Sequence, residues 1–420
     1  MLAVAARGRR RFLAAFLGAA FALAVAYELW VPARIAWEPS ELAGRPAQRA
    51  EGVVLLDQRG DTIWAARGYA LYRSRAGGAF ERVTLLWPRL GPAWAGFSRT
   101  FRDVFRYQEL VEVMALGDSS LLAFSGGDAY RVDLARGAVE RVHALRYFGP
   151  HRGRGLLPHG LTRAADGAIY YGEYPTGVLA PSETVRIWRS RDEGRRWETA
   201  HEFAPHAVRH VHAVQWDPIG QALWVATGDR DADCRIGFSR DGGATFTWIG
   251  SGNQTFRAVS LLFTPEAVSW VMDSPRVPAR LVRWERATHA VSTSAVVFPS
   301  PGHYVQALGG EHGVATLAER GAALWLVGAG EPRELASWPV RPMPGWPYPA
   351  VRLLRSTSIV PGGRELLVNP LRTEMAAAAV YRIASSHLGA RADRLGAKAL
   401  KRFLVHPSAS RIQEPKTCPF

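Results

Sequence analysis

The sequence predicts an all-β fold: a β-propeller of seven blades, with six as the alternative, behind an N-terminal apolar helix. Three observations predict it. The 420 residues carry 41 Gly, 27 Pro and 15 Trp, which favours short strands and tight turns over long helices. A short turn signature recurs along the chain. Hairpin-like segments with period-two alternation recur roughly every 40 to 60 residues, the spacing of one four-stranded blade per unit.

The chain opens on a targeting segment. Arg7, Arg9, Arg10 and Arg11 precede an apolar run from Phe12 to Tyr27, closed by Glu28-Leu29-Trp30-Val31-Pro32. A basic stretch ahead of an apolar core is an export signal. Counted to Val31, the run has about 20 residues, enough to span a bilayer, with Tyr27 and Trp30 at interfacial positions. Ala22-Leu23-Ala24 and Ala24-Val25-Ala26 also resemble cleavage sites. Residues 1–32 therefore read as a signal anchor or a cleaved signal peptide. The expected place is the inner or plasma membrane, single-pass, with the propeller outside the cytoplasm. After cleavage it would be secreted or periplasmic. Residues 33–50, with Pro39, Gly44 and Pro46, read as a linker; 51–390 is the propeller and 391–420 a basic tail.

The turn signature is Ser190-Arg-Asp192-Glu-Gly194-Arg-Arg-Trp197, repeated as Ser239-Arg-Asp241-Gly-Gly243-Ala-Thr-Phe246. Ser74-Arg-Ala-Gly77-Gly-Ala-Phe80 is a decayed copy. Ser and Asp hydrogen-bond the backbone of a tight hairpin, Gly supplies a positive φ, and the aromatic folds back on the turn. Seven hairpin units follow from alternation: Leu71–Leu86, Asp128–Leu145, Ile187–Phe203, Arg235–Ile249, Arg280–Phe298, Ala322–Trp338 and Ala379–Arg391. Val53–Leu56 and Thr62–Ala65 are expected to close the ring against the last blade.

The S-x-D-x-G-x-x-W/F pattern resembles the Asp-box, or BNR, repeat of sialidase-like β-propellers. The resemblance implies the fold and suggests glycoside hydrolysis. That family clamps a carboxylate with arginines and uses a Tyr nucleophile paired with Glu and an Asp acid/base. The candidates for analogous roles are Arg257 and Arg355 as clamps, Glu173 with Tyr174, and Asp229 or Asp273, with no motif fixing them. The family's Phe/Tyr-Arg-Ile-Pro motif is absent; Ala33-Arg34-Ile35-Ala36 lacks its Pro.

Propellers bind ligands at the mouth of a central channel, on inner-strand residues. Aligning the blades there pairs a basic residue with an acid that ends the next strand: His159/Glu173, His212/Asp229, Arg257/Asp273 and His303/Glu319. Blade symmetry would set these groups around one pore, although such pairs also serve as ties between strands. The densest feature is Arg209-His210-Val211-His212. On a strand His210 and His212 face one side, a geometry for a divalent metal or for acid/base work. The catalytic candidates are His159, His212, Arg257, Asp229 and Glu173. The substrate-binding candidates are His210, Tyr174, Asp273, His303 and Arg355. Asp229-Arg230-Asp231-Ala232-Asp233 is an acidic loop, either a Ca²⁺ ligand or hydrated. Tyr170, Tyr171 and Tyr174 form either a sugar platform or core.

Charge limits the partners. There are 52 Lys+Arg against 37 Asp+Glu, a formal net charge of +15. Only Lys398, Lys401 and Lys416 are lysines, as codon bias alone would give. The charge is diffuse, no binding motif appears, and export removes nucleic acid as a partner. Acidic glycan and anionic lipid remain. Cys234 and Cys418 exclude a metal cluster or a disulfide framework and leave one bridge open. The expected function is a carbohydrate-active enzyme, an exo-sialidase-like hydrolase or a polysaccharide lyase. For a uronate lyase, Arg neutralises the carboxylate and His or Tyr moves the proton. A non-catalytic glycan-binding or scaffold propeller in the envelope is the alternative.

Overall fold

Period-two alternation becomes seven antiparallel blades in the computed structural model. It describes residues 31–86, 110–149, 153–176, 184–309, 311–328, 330–339, 350–354, 365–371 and 378–384, and positions 18, 19 and 22. The inner strands, in blade order, are Val54–Arg59, Leu110–Ala115, Leu161–Arg163, His210–Asp217, Leu262–Phe263, Gly302–Gly309 and Ala350–Arg352. Seven, not six, is therefore the blade number. A three-stranded sheet, Phe148–Gly149, Gly153–Gly155 and Tyr174–Pro175, lies outside the blades.

Burial falls from the axis outward. In blade 4 the first two strands, His210–Asp217 and Ala222–Gly228, are buried almost throughout, while the outermost, Thr247–Ser251, is largely exposed. Strands covered on both faces carry near-continuous apolar runs, and rim strands do not need them. The core is a ring of clusters between neighbouring blades. Leu122 and Phe124 of blade 2 meet Ile169 and Tyr171 of blade 3. Ile187 of blade 3 meets Val211 and Val225 of blade 4. Tryptophans 224, 270, 284 and 325 fill the space from blade 4 to blade 6. Tyr170 and Tyr171 are fully buried here, as core and not platform.

Both full turn signatures close alike. Gly194 N donates to Ser190 Oγ at 2.8 Å and Arg196 N to Asp192 Oδ1 at 2.8 Å. In the second copy Gly243 N donates to Ser239 Oγ at 2.8 Å and Thr245 N to Asp241 Oδ1 at 3.0 Å. Gly194 and Gly243 sit at φ 84° and 92°, where a side chain would be strained.

Six of the seven expected hairpins are the outer strand pairs of blades 1 to 6. The seventh differs. Ala379–Ala384 pairs outward with Arg45–Glu51, which pairs with Glu38–Leu42. Residues 33–50, expected to be a linker, therefore close the ring, and Val54–Arg59 and Thr62–Arg67 instead begin blade 1. Arg34–Ile35 adds an edge strand against Phe80–Leu85 of blade 1. The targeting segment lies almost wholly outside the described residues, and the 391–420 tail and Cys418 wholly so. Among the described residues no helix is long and apolar enough to cross a membrane. Cys234 is buried, its thiol pushed up to about 12 by burial.

Candidate functional site

Three of the four expected basic–acidic pairs meet at one end of the channel, as an arc across blades 4, 5 and 6. Blade 4 supplies most of it. His210 opens the inner strand opposite Gly228, and the register slips between Val211 and Ala213. His212 is the extra residue of that bulge, a device that re-aims one side chain. Both rings are 1% exposed, with their Nε2 atoms 3.0 Å apart. Asp229, just beyond Gly228, places Oδ1 3.4 Å from His210 Nε2 and 3.3 Å from His212 Nε2. A Cβ on Gly228 would stand 2.7 Å from His212 Cε1, so the ring needs glycine there.

Blades 5 and 6 extend the arc. Arg257 lies between two carboxylates: Nη2 is 2.9 Å from Asp229 Oδ1 and Nε is 3.1 Å from Asp273 Oδ2. Arg209, quoted within the His-x-His motif but given no role there, donates to Asp229 Oδ2 at 3.1 Å. His212 Nδ1 faces Asp273 Oδ2 at 3.7 Å. Ligand atoms of Asp273, His303 and Glu319 lie within 4.8 Å of one another. Tyr174, the third tyrosine of the expected platform, stacks on His210 at 4.0 Å.

The remaining site candidates lie elsewhere. His159, at φ 67°, reaches across the channel. Its Nδ1 meets Ser260 Oγ at 3.2 Å, its Nε2 meets the Leu353 carbonyl at 3.0 Å, and its ring lies on Tyr304. Glu173 is buried away from His159 and accepts from Trp188 Nε1 at 2.9 Å and Arg186 N at 2.9 Å, with Arg146 at 3.3 Å. His159/Glu173 is therefore a structural pair in position only, and neither residue joins the arc. Arg355 lies outside the described residues. Arg352, three residues earlier, pairs instead with Glu112 at 3.0 Å, both buried. Neither Arg352 nor Glu112 carried a sequence signal beyond its charge. The acidic loop is a short 3-10 turn, Asp231–Asp233. Arg230 binds Asp233 and Gln254 donates to Asp231, so both carboxylates are held by the protein's own donors.

Electrostatics separate the members of the arc. Burial holds the His212 imidazole down at about 4, so it is neutral near pH 7. Burial raises Asp229, but the polar groups around it hold its carboxyl below the usual range. Asp273 is pushed up to about 7: burial raises it, Arg257 pulls it down, and Glu319 and Asp229 raise it further. Burial also raises Glu319.

Tautomers decide what the two histidines do. His210 Nδ1 meets the Pro175 carbonyl at 2.9 Å, so that nitrogen carries a proton, and in the neutral ring Nε2 keeps its lone pair. If His212 protonates Nδ1, toward Asp273, two lone pairs oppose each other at 3.0 Å. If it protonates Nε2, a bare Nδ1 faces a carboxylate and makes no hydrogen bond. A positive charge between the Nε2 atoms, a metal cation or a second proton, resolves the opposed lone pairs. Donors about 2.1 Å from a cation stand about 3.0 Å apart at right angles and about 3.4 Å apart in a tetrahedron. The observed spacings of 3.0, 3.3 and 3.4 Å fit a three-ligand face.

Fold and arc together define a class: a seven-bladed propeller whose channel mouth holds a two-histidine, one-carboxylate donor set flanked by arginine. No protein-family model matches the chain, and neither does any curated protein sequence. Solved structures do match. Oligogalacturonate lyase in complex with manganese gives a TM-score of 0.55 at 10% identity, covering 86% of this chain and 98% of that one. Oligogalacturonate lyase from Vibrio parahaemolyticus gives 0.51 at 10% identity, covering 83% and 96%. A chain of the mitotic checkpoint complex gives 0.51 at 12% identity, covering 83% and 96%. At such identities the likeness is one of fold.

Proposed function

We propose that the arc across blades 4 to 6 is a divalent-cation site acting on an acidic, uronate-bearing glycan as a polysaccharide lyase. The observation that carries this is the convergence of His210 Nε2, His212 Nε2 and Asp229 Oδ1 within 3.4 Å. Two structural neighbours being oligogalacturonate lyases, one with manganese, supports the choice of chemistry.

Elimination removes the proton beside the uronate carboxylate, breaks the glycosidic C–O bond at the next carbon and leaves a double bond, with no water consumed. A cation bound at the triad would neutralise the uronate carboxylate and make that proton more acidic. His210, held through Nδ1 by Pro175, and His212 would present their Nε2 atoms to it. Arg257 fixes Asp229 and Asp273 at their spacing. Its charge is shared by the protein's own acids, which disfavours the sialidase clamp that the turn repeats suggest. Arg209, paired with Asp229 but a third exposed, is the cation an anionic chain would reach. Tyr174, its ring stacked on His210, is our choice for accepting the proton, which it would take as the phenolate. Action outside the cytoplasm, through an anchor or a cleaved signal, belongs to this proposal and rests on Arg7 to Arg11 and the apolar run after them.

The full chain, stripped with chelator, is incubated with polygalacturonate, other uronate polymers and sialosides, with and without Mn²⁺. The expected product is an unsaturated uronide, seen by its ultraviolet absorbance, only with metal. Release of sialic acid instead would make it a hydrolase. Glycan binding without product would make it a binding module.

A further inference from the structure

The arc does not end at the first donor group. His303 is the second residue of the blade 6 inner strand, and Glu319 lies two residues past the end of His312–Leu317. Asp273 lies two residues past the end of Ala267–Val271 in blade 5. One ligand atom from each lies within 4.8 Å of the other two. Asp273 is 4% exposed, and its Oδ1 makes no hydrogen bond among the described residues. Only Oδ2 is held, by Arg257 Nε at 3.1 Å. A buried carboxylate oxygen left bare keeps its full desolvation cost. A second carboxylate nearby adds repulsion. Glu319 also sits at φ 75°, a left-handed conformation unusual for a side chain.

We infer that Asp273, His303 and Glu319 form a second divalent-cation site beside His210, His212 and Asp229. Two carboxylates carry the charge to balance a dication, and one imidazole tilts the set toward Mn²⁺ or Zn²⁺ and away from Ca²⁺. The two sites share no ligand; Arg257 and the His212 ring stand between them. The competing arrangement is a proton held by Asp273 and shared with Glu319. That would satisfy the bare oxygen with no cation.

Metal content separates the two. The full chain is stripped with chelator, dialysed against Mn²⁺ and assayed for metal per chain, with titration calorimetry beside it. The expected result is two equivalents for the wild type. Glu319→Gln and, independently, His303→Gln each leave one. His210→Ala with His212→Ala also leaves one, lost when Glu319→Gln is added. Thermal unfolding of the stripped variants reports whether each folds, and the two blade 6 variants serve as checks on each other. One equivalent in the wild type that survives Glu319→Gln and His303→Gln overturns the second site and spares the first. One equivalent that survives the paired histidine variant spares the second and overturns the first.

Discussion

The channel has two polar faces built from the same residue types, and they behave differently. On blades 2, 3 and 7, Glu112, His159 and Arg352 close on one another. Arg352 donates to Glu112 Oε2 and to the Val111 carbonyl, His159 N donates to the same Glu112 oxygen, and both His159 ring nitrogens have partners. On blades 4 to 6, His212 Nδ1 and Asp273 Oδ1 are buried without hydrogen bonds. Asp229 remains about a quarter exposed. A buried network whose charges pair with one another, with Arg352 Nε left without a hydrogen bond, is a strut, whereas unpaired groups at an opening are what the proposed cation would satisfy.

The strut should break first. Arg352→Met leaves the Glu112 carboxylate, 0% exposed, without its cation. The expected loss is about 3–5 kcal/mol in denaturant unfolding. Adding Glu112→Leu should return much of it. An Arg352→Met chain as stable as the wild type would erase the distinction between the faces. The site should fail in the other currency. His212→Ala is expected to lower product formation about a hundredfold or more, while its cost to the stripped protein stays below that of Arg352→Met.

Much of this was legible in the sequence because a propeller repeats. One strand offset found Asp229, Asp273 and Glu319 from His212, Arg257 and His303, and period-two alternation found six outer hairpins. Three things were not legible. The closing strand Arg45–Glu51 pairs with residues more than 300 positions away, such as Gln48 with Arg382, and as a rim strand it needs little apolar patterning. His159 sits where its blade-4 counterpart would, but at φ 67° its ring is sent across the channel. Arg352 and Glu112 meet only because blades 7 and 2 face the same axis, which no local spacing records.

A smaller effect lies outside both faces and calibrates them. His143, bonded to the Tyr171 hydroxyl at 2.7 Å, is held down at about 4, by burial first and Arg141 second. Its folded value lies below the unfolded value of about 6.5. Its contribution is therefore intact above pH 6.5 and is lost as pH falls toward 4, about 2 kcal/mol after allowing for partial exposure. His143→Gln should flatten the acid limb of a stability–pH curve in that window; an unchanged limb would assign it to other groups. The smallest expected effect sharpens the site itself. Gly228→Ala puts a Cβ 2.7 Å from His212 Cε1 and should weaken Mn²⁺ binding about tenfold by calorimetry, with the fold intact. Unaltered affinity would mean that the ring position is not what holds the cation.

The most direct test is anomalous diffraction at the manganese edge from crystals grown with Mn²⁺. A peak about 2.1–2.2 Å from His210 Nε2, His212 Nε2 and Asp229 Oδ1 is the predicted result. Absence of density there, with the two histidines still hydrogen-bonded to each other at 3.0 Å, would contradict the account.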